Sequence, residues 1–343
     1  MNNRMKRVAC FGEIMLRLSP KGYLRFQQAD DFDAVYGGAE ANVCASLAQF
    51  GIDARFISAL PEHAIGQAAI NTLRAVGVDT GYVLRQGPRV GIYYSEKGAS
   101  QRPSKVIYDR AGSSVSLVQP GEIDWEKALD GVDWFHFTGI TPALGDNVAA
   151  CTKEALDVCR SKGIRISCDL NYRKNLWSRE KAGRIMSELV QGIDLCIANE
   201  ADCSDVLGIS AKNTNIDAGQ LSNDAYQSVA AEVMKRYQIR EMAVTLRRSI
   251  SASDNEWSVL LYDGEPHYSK NYKVHIVDRV GGGDSFGAAL IYAKLSGFDV
   301  QTQVEFAAAA SCLKHSVEGD FNVITVDEVM RLMGGDGSGR IQR

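Results

Sequence analysis

The 343-residue sequence has no excess of either charge: 38 Lys and Arg face 42 Asp and Glu, a net charge of −4. So balanced a chain carries no electrostatic footprint for nucleic acid or for a polyanionic membrane surface. No apolar run approaches the ~20 residues that a transmembrane helix needs. The basic start, residues 1–7, leads into a short apolar stretch that breaks at Gly12 and Glu13, too soon for a signal peptide. The eight cysteines form no CxxC pair and mostly lie in apolar stretches. They read as reduced, buried thiols rather than zinc ligands or disulfides, and the expected compartment is the cytoplasm. Internal repeats are missing, and so is any polar linker long enough to separate independent units. A prior of ~100–200 residues per domain allows two or three domains, yet the expectation is one unit over residues 1–330 with a flexible tail over 334–343.

Several phosphate-binding motifs are missing as well. No GxxxxGK[ST] occurs, which excludes a P-loop enzyme. The first strand is followed by Gly12 and Glu13 without GxGxxG, so a dinucleotide fold lacks its fingerprint at the expected turn.

Hydrophobic residues make up 45% of the chain, enough for a large core. Short β-rich runs alternate with helical periodicity, the pattern of a parallel sheet covered by helices. Strands are expected at 8–11, 55–60, 132–138, 164–168, 195–198 and 242–246, and again at 272–277. Val43, Leu47 and Phe50 recur at helical spacing up to Gly51; Ile70, Leu73 and Val76 do so up to Gly77. Further helices are expected at 147–162 and 285–295. Segments 13–36 and 88–112 break the rhythm with alternating spacing and read as a small antiparallel appendage; 208–224 reads as a polar loop. Polar residues follow the core strands: Asp169 and Asn171, Asn199 and Glu200, Arg247 and Arg248. In open parallel sheets, ligands bind beyond the carboxyl ends of strands, so these residues should meet in one crevice.

The most informative stretch is Gly281, Gly282, Gly283 and Asp284, just before a helix. Glycines let backbone N–H groups approach an anion, and the helix start adds about half a positive charge. Asp284 is either an N-cap or a functional carboxylate. The same stretch formally matches GxSxG, with Ser285 as a hydrolase nucleophile, Asp299 or Glu305 and His315 completing a triad. That triad would be squeezed into one short segment, and no HGGG-like oxyanion loop lies upstream.

At this loop, and again at Gly37, Gly38, Ala39, Glu40, Ala41 and Asn42, the sequence resembles the ribokinase-like (PfkB) carbohydrate kinases, most narrowly those acting on 2-keto-3-deoxygluconate. Residues 11–20, 108–111, 169–173 and 319–322 match too, in the right order. The resemblance implies a three-layer α/β/α sandwich with a small β-sheet lid formed by 13–36 and 88–112. It also implies ATP and Mg²⁺, and it leaves a monovalent cation open. Asp284 falls in the role of base, with Gly281, Gly282 and Gly283 forming the anion hole. Gly37, Gly38, Asn42, Tyr93, Tyr108, Arg110 and Arg173 fall in the sugar pocket; Asn199, Arg247, Gly281 and Gly283 fall at the nucleotide. Glu200 and Asp202 are the candidates for the metal. The sequence departs from the family in reading GGGD where many members have GAGD, in Arg279 and Val280 where threonines are usual, and in Asn199, Glu200, Ala201, Asp202 for the NxxE motif. Lid pairing implies a homodimer or a larger assembly.

Phosphoryl transfer to an alcohol is catalysed mainly by positioning and charge neutralisation. A carboxylate of ordinary pKa near ~4 can still accept the proton, because the hydroxyl turns acidic only as its bond to phosphorus forms. Arg110 and Arg173 could pair with an acid sugar. The expected reaction is therefore transfer from ATP to the C6 hydroxyl of 2-keto-3-deoxygluconate, with a fructokinase-like action on a neutral ketose as the alternative.

Overall fold

The computed structural model describes residues 4–210 and 223–337. The chain opens with β1 (Arg7–Phe11), β2 (Met15–Ser19), β3 (Asp33–Gly37), α1 (Ala39–Gln49), β4 (Asp53–Leu60) and α2 (Ala64–Ala75). Next come β5 (Val83–Arg85), β6 (Gly91–Glu96), β7 (Lys105–Asp109), α3 (Trp125–Ala128), β8 (Trp134–Thr138), α4 (Asp146–Lys162) and β9 (Arg165–Asp169). Then follow α5 (Arg179–Leu189), β10 (Leu195–Ala198), α6 (Glu200–Leu207), α7 (Asn223–Tyr237), β11 (Glu241–Ser249), β12 (Asp254–Tyr262), β13 (Pro266–Tyr268) and β14 (Tyr272–His275). The chain closes with α8 (Gly282–Leu295), α9 (Val300–Lys314) and α10 (Val326–Met333).

A ten-stranded sheet runs β13-β12-β11-β10-β9-β8-β1-β4-β5, with β14 also pairing β12. From β5 to β11 every pairing is parallel. Along β1, Ala9 and Phe11 enter one core while Val8 and Cys10 enter the other. That alternation shows both faces covered, as parallel strands require. The first core is closed by helices α3 to α7, including Leu156, Met186 and Val233. The second is closed by α1, α2 and α8 to α10, including Leu47, Phe286 and Phe306. The fold is thus ribokinase-like, three layers with a separate four-stranded sheet of order β3-β2-β6-β7.

Four expectations need correction. The lid appendage is not wholly antiparallel, because its central strands β2 and β6 pair in parallel. The sheet is mixed, because β12, β13 and β14 are antiparallel. Strand β11 runs on to Ser249, so Arg247 and Arg248 sit within it rather than beyond its end. Helix α8 starts at Gly282 instead of Ser285, since two glycines form its first turn and only Gly281, with φ of 81°, stands outside. Of the tail, 334–337 continue from α10 with the amides of Gly334 and Gly335 bonded to the carbonyls of Met330 and Leu332. Residues 338–343, and 211–222 of the polar loop, lie outside the described residues. Among the described residues no helix is long and apolar enough to cross a membrane.

Candidate active site

The chain leaves β1 and crosses to the lid and β4 on one side, while β8 pairs on the other, so the connections diverge at the carboxyl end of β1. Such a divergence opens a crevice. A cleft of about 390 Å³ lies there, roofed by the lid. Its wall holds Gly38, Asn42, Tyr93, Tyr108, Arg110, Arg173, Asn199, Asp202, Arg247, Gly281, Gly283 and Asp284. Gly37, Gly282 and Glu200 are not part of that wall. Gly37 instead leaves room for the Asp320 carboxylate, which a Cβ there would overlap.

Helices α1 and α8 share a core through Ala41, Leu47, Phe286 and Leu290, which aligns their first turns at the cleft floor. There the Asn42 side-chain amide donates to Asp284 Oδ2 at 2.7 Å. Asn42 also accepts from the Gly38 amide at 3.2 Å. Asp284 is therefore no N-cap; the cap position belongs to Gly281, and no side chain caps the helix. Among the described residues no hydrogen bond engages the amides of Gly282, Gly283 or Asp284. These N–H groups remain open to an anion.

Burial pushes the Asp284 carboxyl up to about 6, with Asn42 and Arg173 holding it from rising further. The ordinary value assumed from sequence is thus corrected upward, which makes Asp284 a stronger base that is still mostly ionised at neutral pH. Asp169 is raised well above the carboxylate range by burial and by the neighbouring charges of Asp202 and Asp284. Burial takes Asp202 to about 6, partly offset by its hydrogen bond from the Tyr172 amide. Asp202 also completes a capping box with Asn199 at the start of α6. Among the described residues no group of three His, Cys, Asp or Glu could by itself hold a metal ion.

The arginines divide into two sorts. Arg110 is buried against Glu13, and that ion pair neutralises it; among the described residues its Nε, like Glu13 Oε1, has no hydrogen-bond partner. Arg173 makes no ion pair among the described residues, and its guanidinium faces Asp169, Asp202 and Asp284. Burial, and then repulsion from nearby Arg247, lowers the pKa of Arg279.

Sequence reasoning missed a buried lock between lid and floor. Arg17 on β2 reaches Asp278 at 2.9 Å and Asp320 at 3.0 Å, and all three are buried. The Tyr93 hydroxyl donates to the same Asp320. The alternating pattern of β2 placed Arg17 on one face of the lid, but nothing local announced its partners.

The hydrolase constellation does not assemble. Ser285 is fully buried, donating to the Ala310 carbonyl at 3.4 Å and accepting from Asn322 at 3.1 Å. His315 points its Nδ1 at the Ser311 carbonyl, Asp299 caps α9, and Glu305 accepts from the Lys270 amide.

An unengaged helix start beside an elevated carboxylate suits moving a phosphoryl group onto a hydroxyl, and the class is a phosphotransferase with an alcohol acceptor. A family model described as pfkB family carbohydrate kinase matches residues 5–325, and the chain belongs to that family. A crystal structure of 2-dehydro-3-deoxygluconokinase from Thermotoga maritima is 51% identical and superposes with a TM-score of 0.93, covering 96% of this chain and all of that one. The 2-dehydro-3-deoxygalactonokinase of Haloferax volcanii is 31% identical over 96% of this chain and 97% of its own. The 2-dehydro-3-deoxygluconokinase of Thermoproteus tenax is 28% identical over 91% and 89% respectively.

Proposed function

We propose that this carbohydrate kinase transfers the γ-phosphate of ATP to the C6 hydroxyl of 2-keto-3-deoxygluconate, giving 2-keto-3-deoxy-6-phosphogluconate. The observation that carries the chemistry is the Asp284 carboxylate held by Asn42 beside unengaged helix amides. Asp284 takes the hydroxyl proton as the oxygen–phosphorus bond forms, while the amides of Gly283 and Asp284, both on the cleft wall, hold the transferring oxygens. Arg247, Arg279 and Asn199, which line the same cleft, receive the nucleotide. Magnesium bound with ATP would supply neutralising charge for the transferring phosphate, and such an ion is commonly held by one or two carboxylates plus phosphate. Asp169 and Asp202 fit that sparse donor set, whereas Glu200 stands off the cleft wall.

The names of the two 2-keto-3-deoxygluconate relatives support the substrate, as does Arg173, which makes no ion pair among the described residues and can pair with a sugar carboxylate. A second reading, action on a neutral ketose, draws on the neutralisation of Arg110 by Glu13. The 2-keto-3-deoxygalactonate epimer is the nearest competitor, given the Haloferax relative. All eight cysteines are free, consistent with a reducing cytoplasm. The lid's edge strand β7 leaves Ile107 44% exposed and offers a second copy an edge for a homodimer.

A coupled ADP-release screen over both 2-keto-3-deoxy acid epimers, gluconate, fructose and ribose tests the substrate. The gluconate-derived keto acid should give the highest kcat/KM. A preference for fructose would replace the acid-sugar reading by the ketose one.

A further inference from the structure

Lys314 ends α9 and is 0% exposed, which lysine tolerates only when its ammonium is satisfied. Its Nζ donates to the carbonyl oxygens of Val317 at 3.1 Å and Gly319 at 2.9 Å. Both carbonyls belong to the turn after α9. That turn lies against the glycine loop: the Val277 amide donates to the His315 carbonyl at 2.9 Å, and the Gly319 amide to Asp278 Oδ2 at 3.2 Å. The lysine stem passes directly beneath the anion hole, where a Cβ at Gly281 would stand 3.2 Å from Lys314 Cε. Burial lowers the Lys314 pKa, and Arg17 adds to that; the carboxylates of Asp278, Asp320 and Asp284 work against it and favour the charged ammonium.

Inward-turned backbone carbonyls beside buried carboxylates make an oxygen-lined pocket of the kind that hard cations occupy. A free monovalent cation does not fit here, because the ammonium already takes the carbonyls it would need. We propose that Lys314 is a built-in cation for the glycine loop: it positions that loop and makes turnover independent of any free monovalent cation. A tethered charge fixes the turn at 317–320 against 278–281 without a binding equilibrium. It also adds positive potential under the amides that meet phosphate, and it favours the ionised form of Asp284. Lys314 is a positioning residue, since it touches neither sugar nor nucleotide. The inference rests on the reading of Asp284 as the base.

The test uses the full chain in tetramethylammonium buffer, with ATP as its tetramethylammonium salt and Mg²⁺ present, titrated with KCl at constant ionic strength. Wild-type kcat should stay within about twofold across the titration. Lys314→Met should lose about tenfold or more in kcat at pH 7 and shift its acid limb upward, with an unchanged KM for the sugar. K⁺ or NH₄⁺ should restore much of the loss. A purely structural role would give neither cation rescue nor a moved limb, so absence of rescue overturns the proposal. Should Lys314→Met fail to fold, the wild-type titration decides alone, because a wild-type requirement for K⁺ overturns it. A wild-type chain that phosphorylates no sugar with or without K⁺ instead sinks the functional reading beneath.

Discussion

Removing the Asn42 side chain should turn a kinase working well at neutral pH into one that needs alkali. Asn42 donates to Asp284 at 2.7 Å and is almost fully buried. A hydrogen bond to a charged group contributes about 1.5–3 kcal/mol. At ~1.36 kcal/mol per pKa unit, losing it raises the carboxyl by about one to two units. Starting from about 6, the ionised share at pH 7 falls from about nine-tenths to between about a half and a tenth. Asn42→Ala should therefore lose about two- to tenfold in kcat at pH 7 and regain most of it near pH ~9. The sign follows from the chemistry: the missing donor had favoured the anion, so the acid limb moves up. The assay is kcat against pH from about 5 to 9.5 with saturating sugar and nucleotide. A loss of equal size at every pH would refute the reasoning. It would mean that Asn42 supports the fold through its bond from the Gly38 amide rather than the proton affinity of Asp284.

Other expectations follow from the same geometry. Gly281→Ala forces a side chain into φ of 81° against the Asp320 carbonyl and should cost about 1–3 kcal/mol in urea denaturation. Gly283→Ala meets nothing within 4 Å and should raise stability by up to about 1 kcal/mol, while its methyl weakens nucleotide binding measured by calorimetry. Arg17→Met leaves Asp278 and Asp320 buried without their partner, so stability should fall by about 3–5 kcal/mol. Unchanged unfolding there would show that the lid lock is not built as described. Ser285→Ala should keep sugar phosphorylation and lose about 1 kcal/mol or less, its hydroxyl being buried with Asn322 rather than serving as a nucleophile.

Much of the architecture was legible from periodicity because the parallel strands are buried on both faces and end at glycines or polar residues. The antiparallel edge was harder. Strand β12 runs Asp254–Tyr262 with a mixed pattern, since Leu260 enters the core closed by α7 and Val259 and Leu261 the core closed by α9. Asp284 could be singled out because glycines mark a backbone that approaches something closely. Its shifted pKa could not, since burial in the folded chain raises it and Asn42 of α1, 242 residues away, limits the rise. Arg17, Asp278, Asp320 and Lys314 escaped for the same reason. Charged residues look like surface in sequence, and only pairing across as many as 303 positions brings them inside. Arg110 was visible, but its neutralisation by Glu13 was not.

The most direct measurement is single-turnover phosphoryl transfer by Asp284→Asn, with ATP binding followed in parallel. Asn keeps the size of the side chain and removes the proton acceptor while the helix amides stay open. The rate of the chemical step should fall by about 10²–10⁴-fold with ATP affinity nearly intact. A variant that transfers phosphate at close to the wild-type rate would contradict the assignment of Asp284 as the base.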